Sequence, residues 1–243
     1  QQSPYLMANS WFQFQQFRIN QDRCAMKIST DAVMLGALAD SVFPKEILDV
    51  GTGTGVIALM LAQRFPDAKI QAVEIDAQAA AQALENFHMN TFSDRMQLWE
   101  GKFQEFESQQ KYDLIVSNPP YFPDHLKSSD AQRNMALHTD ELSFQDLLDK
   151  VTQLLAEDGQ FWVILPPRQM QDFQKEAEGK GLFPARKFTL QDKPGKRIQR
   201  EICAFSRSQD EVETSAIFIK NEDGTPHETY AGLVSGFLLG FKA

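Results

Sequence analysis

The stretch "EILDVGTGTGVIALMLAQR", residues 46–64, constrains the fold more than any other part of the chain. Its first five residues have the apolar character of a buried strand, and Val56 to Arg64 has the spacing of a helix. Three glycines separate the two, and glycine permits sharp turns and close backbone approach to a ligand. These glycines are Gly51, Gly53 and Gly55. The order strand, glycine turn, helix predicts the first unit of a parallel sheet with a ligand site at the turn.

The alternation of strand and helix continues along the chain. Strands are predicted at residues 69–75, 96–100, 112–117 and 160–166, and helices at 77–90, 144–155 and 168–180. Such alternation implies right-handed crossovers and a parallel sheet. Three further strands, at 185–190, 200–206 and 216–220, follow with short connections. We therefore predict an α/β fold with a mostly parallel, twisted sheet of seven or slightly more strands, helices on both faces and an antiparallel edge.

The first 45 residues do not share this alternation. Residues 1–45 are predicted to pack over the ligand site as an N-terminal segment, and residues 46–243 to form the main domain, together one compact unit. Within the segment, Ser29 or Thr30 is expected to cap a short helix from Asp31 to Ala39. The aromatic residues of "WFQFQQF" are expected to be buried against the sheet, and stacking on exposed bases is the alternative.

Composition limits the class of protein. The formal net charge of −9 argues against nonspecific coating of nucleic acid, although it permits a local basic face. The sequence has no apolar run long enough to span a membrane and no signal segment, so we expect a cytoplasmic protein. Cys24 and Cys203 are expected to be reduced structural thiols. The histidines show no ligand spacing with other histidines or cysteines, so no metal site is predicted.

An acid at the end of the second strand strengthens the ligand prediction. Glu74 follows the glycine turn at close to the separation of about 20 residues expected of an acid that binds ribose hydroxyls. A ribose-bearing cofactor is therefore predicted, and a tight turn beside a solvent-facing acid is the alternative. The G-x-G-x-G spacing, with Asp49 two residues before it, differs from the G-x-G-x-x-G of dinucleotide sites.

This arrangement resembles the signature of Rossmann-like class I methyltransferases that use S-adenosylmethionine. The resemblance implies that Glu74 holds the ribose and that the glycine turn passes beside the methionine portion, while Asp49 tolerates the cationic cofactor. An acid that contacts the adenine amino group is usual after the third strand of such enzymes, but this sequence has Lys102 there. Phe103 or a backbone group would then define much of the adenine pocket.

The segment "SNPPYF" directly follows the predicted strand at 112–117. At this position, Asn118, Pro119, Pro120 and Tyr121 resemble the Asn-Pro-Pro-Tyr motif of methyltransferases that modify the amino group of adenine, guanine or a glutamine side chain. We interpret Asn118 and the Pro119 carbonyl as acceptors for the two N–H groups of the target amine. The prolines keep the loop rigid, and Tyr121 would stack on the target base. A loop merely punctuated by prolines is the alternative.

The opening "DRCAMKISTDAVMLGA" resembles that of bacterial enzymes that methylate N6 of adenine 37 in valine tRNA. This resemblance runs through most of the chain and implies a single-domain enzyme with tRNA as partner and without a metal. It also implies that Lys27, Thr30 and Asp31 lie near the methionine end of the cofactor, whose predicted contacts include Asn118. A monomer without membrane attachment is favoured.

Candidate contacts to the RNA lie in two places. Arg133 and His138 follow the Asn-Pro-Pro-Tyr motif and would contact RNA or cover the pocket, with a solvated loop as the alternative. Residues 185–200 are rich in basic side chains, and their interpretation as a phosphate-contacting patch or as a solvated hairpin stays open. The cations proposed to contact RNA in this stretch are Lys193, Lys196, Arg197 and Arg200.

Three other functions remain compatible with the sequence. Methylation of a protein glutamine uses the same four-residue motif, and methylation of N2 of guanine in ribosomal RNA is the nearer alternative within RNA. A non-catalytic RNA-binding or nucleotide-binding module is the alternative from a different class. It predicts cofactor binding without methyl transfer.

Overall fold

A computed structural model describes residues 10–120 and 142–241 of the chain. The strands are β1 Trp11–Gln13, β2 Arg18–Asn20, β3 Glu46–Val50, β4 Lys69–Glu74, β5 Met96–Glu100, β6 Tyr112–Ser117, β7 Leu155–Leu165, β8 Phe183–Gln191, β9 Ile198–Ser206 and β10 Glu213–Phe218. The helices are α1 Thr30–Leu38, α2 Val56–Arg64, α3 Ala77–His88, α4 Phe144–Leu154, α5 Pro167–Gly179 and α6 Glu228–Val234.

Eight strands form one sheet in the order β10-β8-β9-β7-β6-β3-β4-β5. The pairings from β7 through β6, β3 and β4 to β5 are all parallel, as the alternating pattern predicts. The predicted α/β fold with a mostly parallel sheet is confirmed. Its parallel strands end together, and open sheets of this kind bind ligands at that carboxyl edge.

The antiparallel pairings of the sheet do not include its outermost strand, β10. β9 runs antiparallel to both of its neighbours, β7 and β8, whereas the outermost strand β10 pairs with β8 in parallel. The β8–β9 hairpin reverses the chain, and the connection from β9 to β10 restores the original direction. The hairpin therefore places the start of β9 at the same edge as the carboxyl end of β7, where Glu201 pairs with Leu165.

Helices cover both faces of the sheet. One apolar cluster joins the sheet to α1, α2 and the buried side of α3, and the other joins it to α4 and α5. The central strands are buried on both sides, with Ile47, Leu114 and Ile115 fully covered. This packing explains why these strands are almost continuously apolar in the sequence.

The N-terminal segment packs onto the main sheet domain through its aromatic residues. Phe14 and Phe17 are buried and their rings stack with centroids 4.4 Å apart, while Trp11 stays 45% exposed beside Arg18. Two of the aromatic residues of "WFQFQQF", Phe14 and Phe17, are therefore buried, as expected. The hairpin β1–β2 is held against α3 by Asn86, whose side chain accepts a hydrogen bond from the Asn20 amide at 2.8 Å.

Several boundaries differ from the sequence-based expectations. Ser29 rather than Thr30 caps α1, since its hydroxyl accepts a hydrogen bond from the Ala32 amide at 3.2 Å. β7 begins five residues before the predicted start, because Leu155 already pairs with Tyr112 ahead of a bulge. The sequence pattern did not predict β1, β2 or α6. Across the ranges 10–120 and 142–241, no helix combines the length and apolar character that crossing a membrane requires.

Candidate active site

A cavity of about 330 Å³ opens at the carboxyl ends of β3, β4 and β6. Its wall combines the two glycines nearest β3, the acid at the end of β4, the turn after β6 and a short piece of the N-terminal segment. The predicted site residues that line it are Gly51, Gly53, Glu74, Phe103, Asn118, Pro119 and Pro120. Residues predicted from separate motifs thus meet at one site.

The three glycines of the β3–α2 turn serve two different purposes. All three have positive φ, at +73° for Gly51, +57° for Gly53 and +85° for Gly55, a region that side chains with a Cβ rarely adopt. Among the described residues, a Cβ on Gly51 would meet no atom within 4 Å, and one on Gly53 would approach only the Cys24 sulfur, at 4.0 Å. Their open sides leave room for a ligand.

Gly55 is not part of the cavity wall. A Cβ there would lie 2.6 Å from Cε1 of Phe87 on α3, a severe overlap. The absence of a side chain at Gly55 therefore leaves room for the Phe87 ring at the start of α2. Its predicted role as a cofactor contact stays a prediction, and the structure provides a packing reason for this glycine.

Glu74 is held in place by backbone amides. The Gly53 amide donates to its Oε2 at 2.7 Å and the Asp76 amide donates to its Oε1 at 3.0 Å, while only 8% of the residue is exposed. Each carboxylate oxygen can accept a second hydrogen bond. A ribose diol in the cavity would satisfy this remaining capacity, so the site fits the predicted adenosyl cofactor.

Asp49 lies behind the turn, completely buried at the end of β3. Its Oδ2 accepts a hydrogen bond from the Thr52 hydroxyl at 2.6 Å, whereas its Oδ1 has no hydrogen-bond partner among the described residues. Burial raises the pKa of Asp49 to about 7, the Thr52 hydrogen bond opposes this effect, and the nearby Glu74 adds to it. Asp49 does not line the cavity, so its assignment to the cofactor site stays a prediction.

The turn after β6, which is predicted to hold the target amine, forms another part of the cavity wall. The Ser117 hydroxyl donates to the Val50 carbonyl at 3.0 Å and joins the ends of β6 and β3. Asn118 is half-buried, Pro119 is buried and Pro120 is exposed at the cavity wall. Tyr121 lies outside the described residues.

The predicted adenine side is formed by residues after β5. Gly101 donates its amide hydrogen to the Glu74 carbonyl at 2.9 Å, and Phe103 and Gln104 line the cavity. Lys102 is not among the lining residues, so the cation found where an acid is usual does not enter the cavity wall. No sequence motif predicted Gln104, which lies next to Phe103 in this part of the cavity wall.

The N-terminal segment reaches the cavity at Cys24, Ala25 and Met26. The three residues predicted from the family resemblance lie beyond this point and do not line the cavity. The Lys27 ammonium donates to the Gln21 carbonyl, Thr30 begins α1, and Asp31 pairs with Arg200 at 2.6 Å. Their assignment to the cofactor therefore stays a prediction.

The predicted RNA contacts of the β8–β9 connection lie at the same edge of the sheet. We call residues 192–200 the basic hairpin. Lys196 and Arg197 are exposed, and Lys193 is half-buried with its ammonium donating to the Glu222 carbonyl at 3.2 Å. Arg200 stands in β9, at the end of the basic hairpin. Arg133 and His138 lie outside the described residues.

Both cysteines are buried free thiols, as predicted. Burial, the largest cause, raises the pKa of both thiols, that of Cys203 to about 12. Among the residues that the structure describes, no group of three or more histidine, cysteine, aspartate or glutamate side chains is arranged to hold a metal ion.

Fold and site together define a class I methyltransferase. Residues 28–174 match the family model "Methyltransferase small domain". The fold resembles a predicted O-methyltransferase of Agrobacterium tumefaciens, with a TM-score of 0.66 at 18% identity over 85% of this chain and 96% of that one. A chain of Listeria monocytogenes assigned to the class I S-adenosylmethionine-dependent methyltransferases gives a TM-score of 0.54 at 16% identity, covering 76% and 62%.

Proteins of similar sequence show which family of methyltransferases the chain belongs to. The chain is 42% identical over 230 residues to the tRNA1(Val) (adenine(37)-N6)-methyltransferase of Pedobacter heparinus, covering 95% of this chain and 98% of that protein. The chain belongs to the tRNA1(Val) (adenine(37)-N6)-methyltransferase family. The family resemblance of the opening motif is thereby confirmed.

Proposed function

We propose that this protein transfers a methyl group from S-adenosylmethionine to N6 of adenine 37 in valine tRNA. The observation that carries the proposal is a shared cavity. Asn118 and Pro119 line the same cavity as Gly51, Gly53 and Glu74. The two proposed acceptors for the amine therefore lie beside the residues proposed to bind the cofactor. Family membership supplies the choice of adenine in tRNA.

The cofactor side follows from the contacts already described. Glu74 would accept the ribose hydroxyls with oxygens that the backbone amides of Gly53 and Asp76 already orient. The open faces of Gly51 and Gly53 would admit the methionine portion. Met26, 67% exposed at the cavity wall, would cover the bound molecule. When bound, S-adenosylmethionine supplies an electrophilic methyl group, which forms an N–C bond as its C–S bond breaks.

The target side acts by positioning. The exocyclic nitrogen of adenine shares its lone pair with the ring and is a poor nucleophile. The Asn118 side-chain oxygen and the Pro119 carbonyl would accept its two N–H bonds, which aligns the nitrogen and lets the lone pair localise. The amine becomes acidic as it is methylated, so the proton passes to water without a strong base. Tyr121 would stack on the base once it has swung out of the RNA.

RNA binding would use the basic hairpin. Its cations Lys193, Lys196 and Arg197 lie at the carboxyl edge, and phosphate contacts of this kind position RNA without reading its sequence. Because the whole chain has a net charge of −9, attraction of RNA would depend on local basic faces such as this one. Arg133 and His138 remain proposed additional contacts. A tRNA substrate also implies a cytoplasmic enzyme, which we propose acts as a monomer.

The test is methyl transfer to defined RNA. The protein is incubated with labelled S-adenosylmethionine and unmodified valine tRNA transcript, and the product nucleotide is mapped. A matched transcript with guanine at position 37 serves as control. We expect N6-methyladenosine at position 37 of the first RNA and no label in the second.

Other results would identify the competing functions. Label in N2-methylguanosine of ribosomal RNA would indicate a guanine methyltransferase, and label in a release factor would indicate a glutamine methyltransferase. Cofactor binding without transfer to any of these substrates would favour a non-catalytic module. Each of these outcomes contradicts the proposal.

A further inference from the structure

Asp31 and Arg200 join two parts of the chain that the sequence analysis assigned to different ligands. The Arg200 Nε donates to Asp31 Oδ2 at 2.6 Å, across 169 positions of sequence. The side chains are only 19% exposed for Asp31 and 27% for Arg200. Asp31 lies in the first turn of α1, and Arg200 lies in β9 at the end of the basic hairpin.

The position of this ion pair relates it to the active site. Ser117, Val163 and Cys203 lie level with one another across β6, β7 and β9. Cys203 is therefore two strands, about 10 Å, from Ser117, the residue before Asn118, and Arg200 lies three residues, about another 10 Å, along β9 from Cys203. A contact that fixes Arg200 also fixes the distance between the basic hairpin and the cavity.

The Lys220 amide also holds the basic hairpin by donating to the Asp192 carbonyl at 2.9 Å, but the second ion pair of the basic hairpin among the described residues is weaker than the Asp31–Arg200 pair. Lys220 approaches Asp192 at 3.8 Å, and both side chains are more than 40% exposed. Exposed ion pairs contribute little because solvent screens them. The Asp31–Arg200 pair is shorter and better shielded, and it connects the basic hairpin to α1, whose N-cap is three residues beyond Met26 in the cavity wall.

We propose that Asp31 is a positioning residue for tRNA binding: through Arg200 it fixes the basic hairpin relative to the cofactor cavity. The inference rests on the proposed function, because it assigns the basic hairpin to the RNA. It also gives Asp31 a role other than contact with the cofactor. Asp31 is an acid beside a cation. The direction in which its removal changes RNA affinity therefore distinguishes a positioning role from a simple charge effect.

The experiment measures tRNA KM, kcat and cofactor affinity for Asp31→Asn, Arg200→Gln and the double variant. Removing an acid near a phosphate site would tighten RNA binding if charge alone mattered. Positioning predicts the opposite, an increase in tRNA KM of about three- to fivefold in each single variant. The double variant should resemble Arg200→Gln, because the two residues act as one unit. Cofactor affinity and kcat should stay near wild-type values.

Asp149→Asn provides a matched control. Asp149 on α4 forms an ion pair with Lys180 near the start of β8, at the opposite edge of the sheet. Its loss should leave the tRNA KM unchanged. Asp31→Glu retains the acid and should keep most of the tRNA affinity of the wild-type protein. Thermal unfolding of each variant would reveal a general folding defect.

Several results would overturn the inference. An unchanged or lower tRNA KM in Asp31→Asn would remove the positioning role, and so would a lower melting temperature without a change in KM. Weaker cofactor binding in Asp31→Asn would indicate that Asp31 contributes to the cofactor site, as the family resemblance implies. Failure of the proposed function is distinguishable, since the wild-type protein would then transfer no methyl group to valine tRNA.

Discussion

The β3–α2 turn and the basic hairpin lie at the same edge of the sheet but are built differently. In the turn, positive-φ glycines and backbone amides set the geometry, and Glu74 is almost completely buried. In the basic hairpin, Lys196 and Arg197 are exposed. The turn has the fixed backbone geometry that we propose for binding a small molecule. The basic hairpin instead presents exposed charges, and their effect on RNA binding depends on where the rest of the fold places them.

The largest effect should come from Gly55→Ala. Strain from positive φ and overlap with Phe87 should reduce the free energy of unfolding by about 3 kcal/mol. Gly51→Ala has open space and should cost only about 1 kcal/mol while weakening cofactor binding. Chemical denaturation and calorimetric titration of both variants test this. Equal stability losses would contradict the division between a packing glycine and a ligand-facing one.

The next effect concerns the buried acid behind the turn. The folded-state pKa of Asp49 is about 7, above its ordinary value of 3.8, so the folded protein holds this proton more tightly than the unfolded chain. Stability contributed by the protonated form is present at low pH and is lost as pH rises toward 7.

Asp49→Asn should remove this pH dependence. Between pH 5 and pH 8 the wild-type protein should lose about 2–3 kcal/mol more stability than the variant. Denaturation at both pH values measures the difference, and other titrating groups cancel in the comparison. Parallel pH profiles for the two proteins would show that Asp49 is ionised in the folded state throughout.

A smaller effect is expected of Glu74→Gln. The amide can still accept from one ribose hydroxyl, but it loses the charge-assisted bond, so cofactor affinity should fall about tenfold. Calorimetric titration with S-adenosylmethionine measures it. The tRNA KM at saturating cofactor should not change, and a selective loss of tRNA affinity would contradict the separation of the two regions.

The smallest effect belongs to the basic hairpin. Lys196→Gln and Arg197→Gln should each weaken tRNA binding about two- to threefold and reduce the slope of affinity against salt by up to about one. Cofactor affinity should be unaffected. Lys175→Gln, on α5, is a control outside the basic hairpin. Identical salt dependence in all three variants would argue for the solvated-hairpin interpretation.

The same contrast explains what the sequence could predict. The glycine turn, Glu74 and the turn at Asn118 are short motifs fixed by their own strands, so a parallel sheet brings them together at one edge. Phe103 follows β5 and meets the same cavity. Sequence periodicity also predicted most helices and the central strands, because their buried faces repeat regularly.

The remaining features depend on long-range packing. The sequence predicts that residues 1–45 pack over the ligand site, but it does not single out Cys24 to Met26 as cavity wall or pair Asp31 with Arg200. Gly55 shares a motif with Gly51, yet the position of Phe87 decides that it serves helix packing. The short strands β1 and β2 have too few residues for a clear alternating pattern. Contacts between β2 and α3 hold β2, and β1 pairs with β2.

The central claim is that Asn118 holds the target amine beside the cofactor. Single-turnover methyl transfer to valine tRNA, with both substrates saturating, tests it in Asn118→Ala and Asn118→Asp. We predict that the alanine variant transfers at least about a hundredfold more slowly, while aspartate, which can still accept a hydrogen bond, retains part of the rate. Transfer by Asn118→Ala at the wild-type rate would contradict the account.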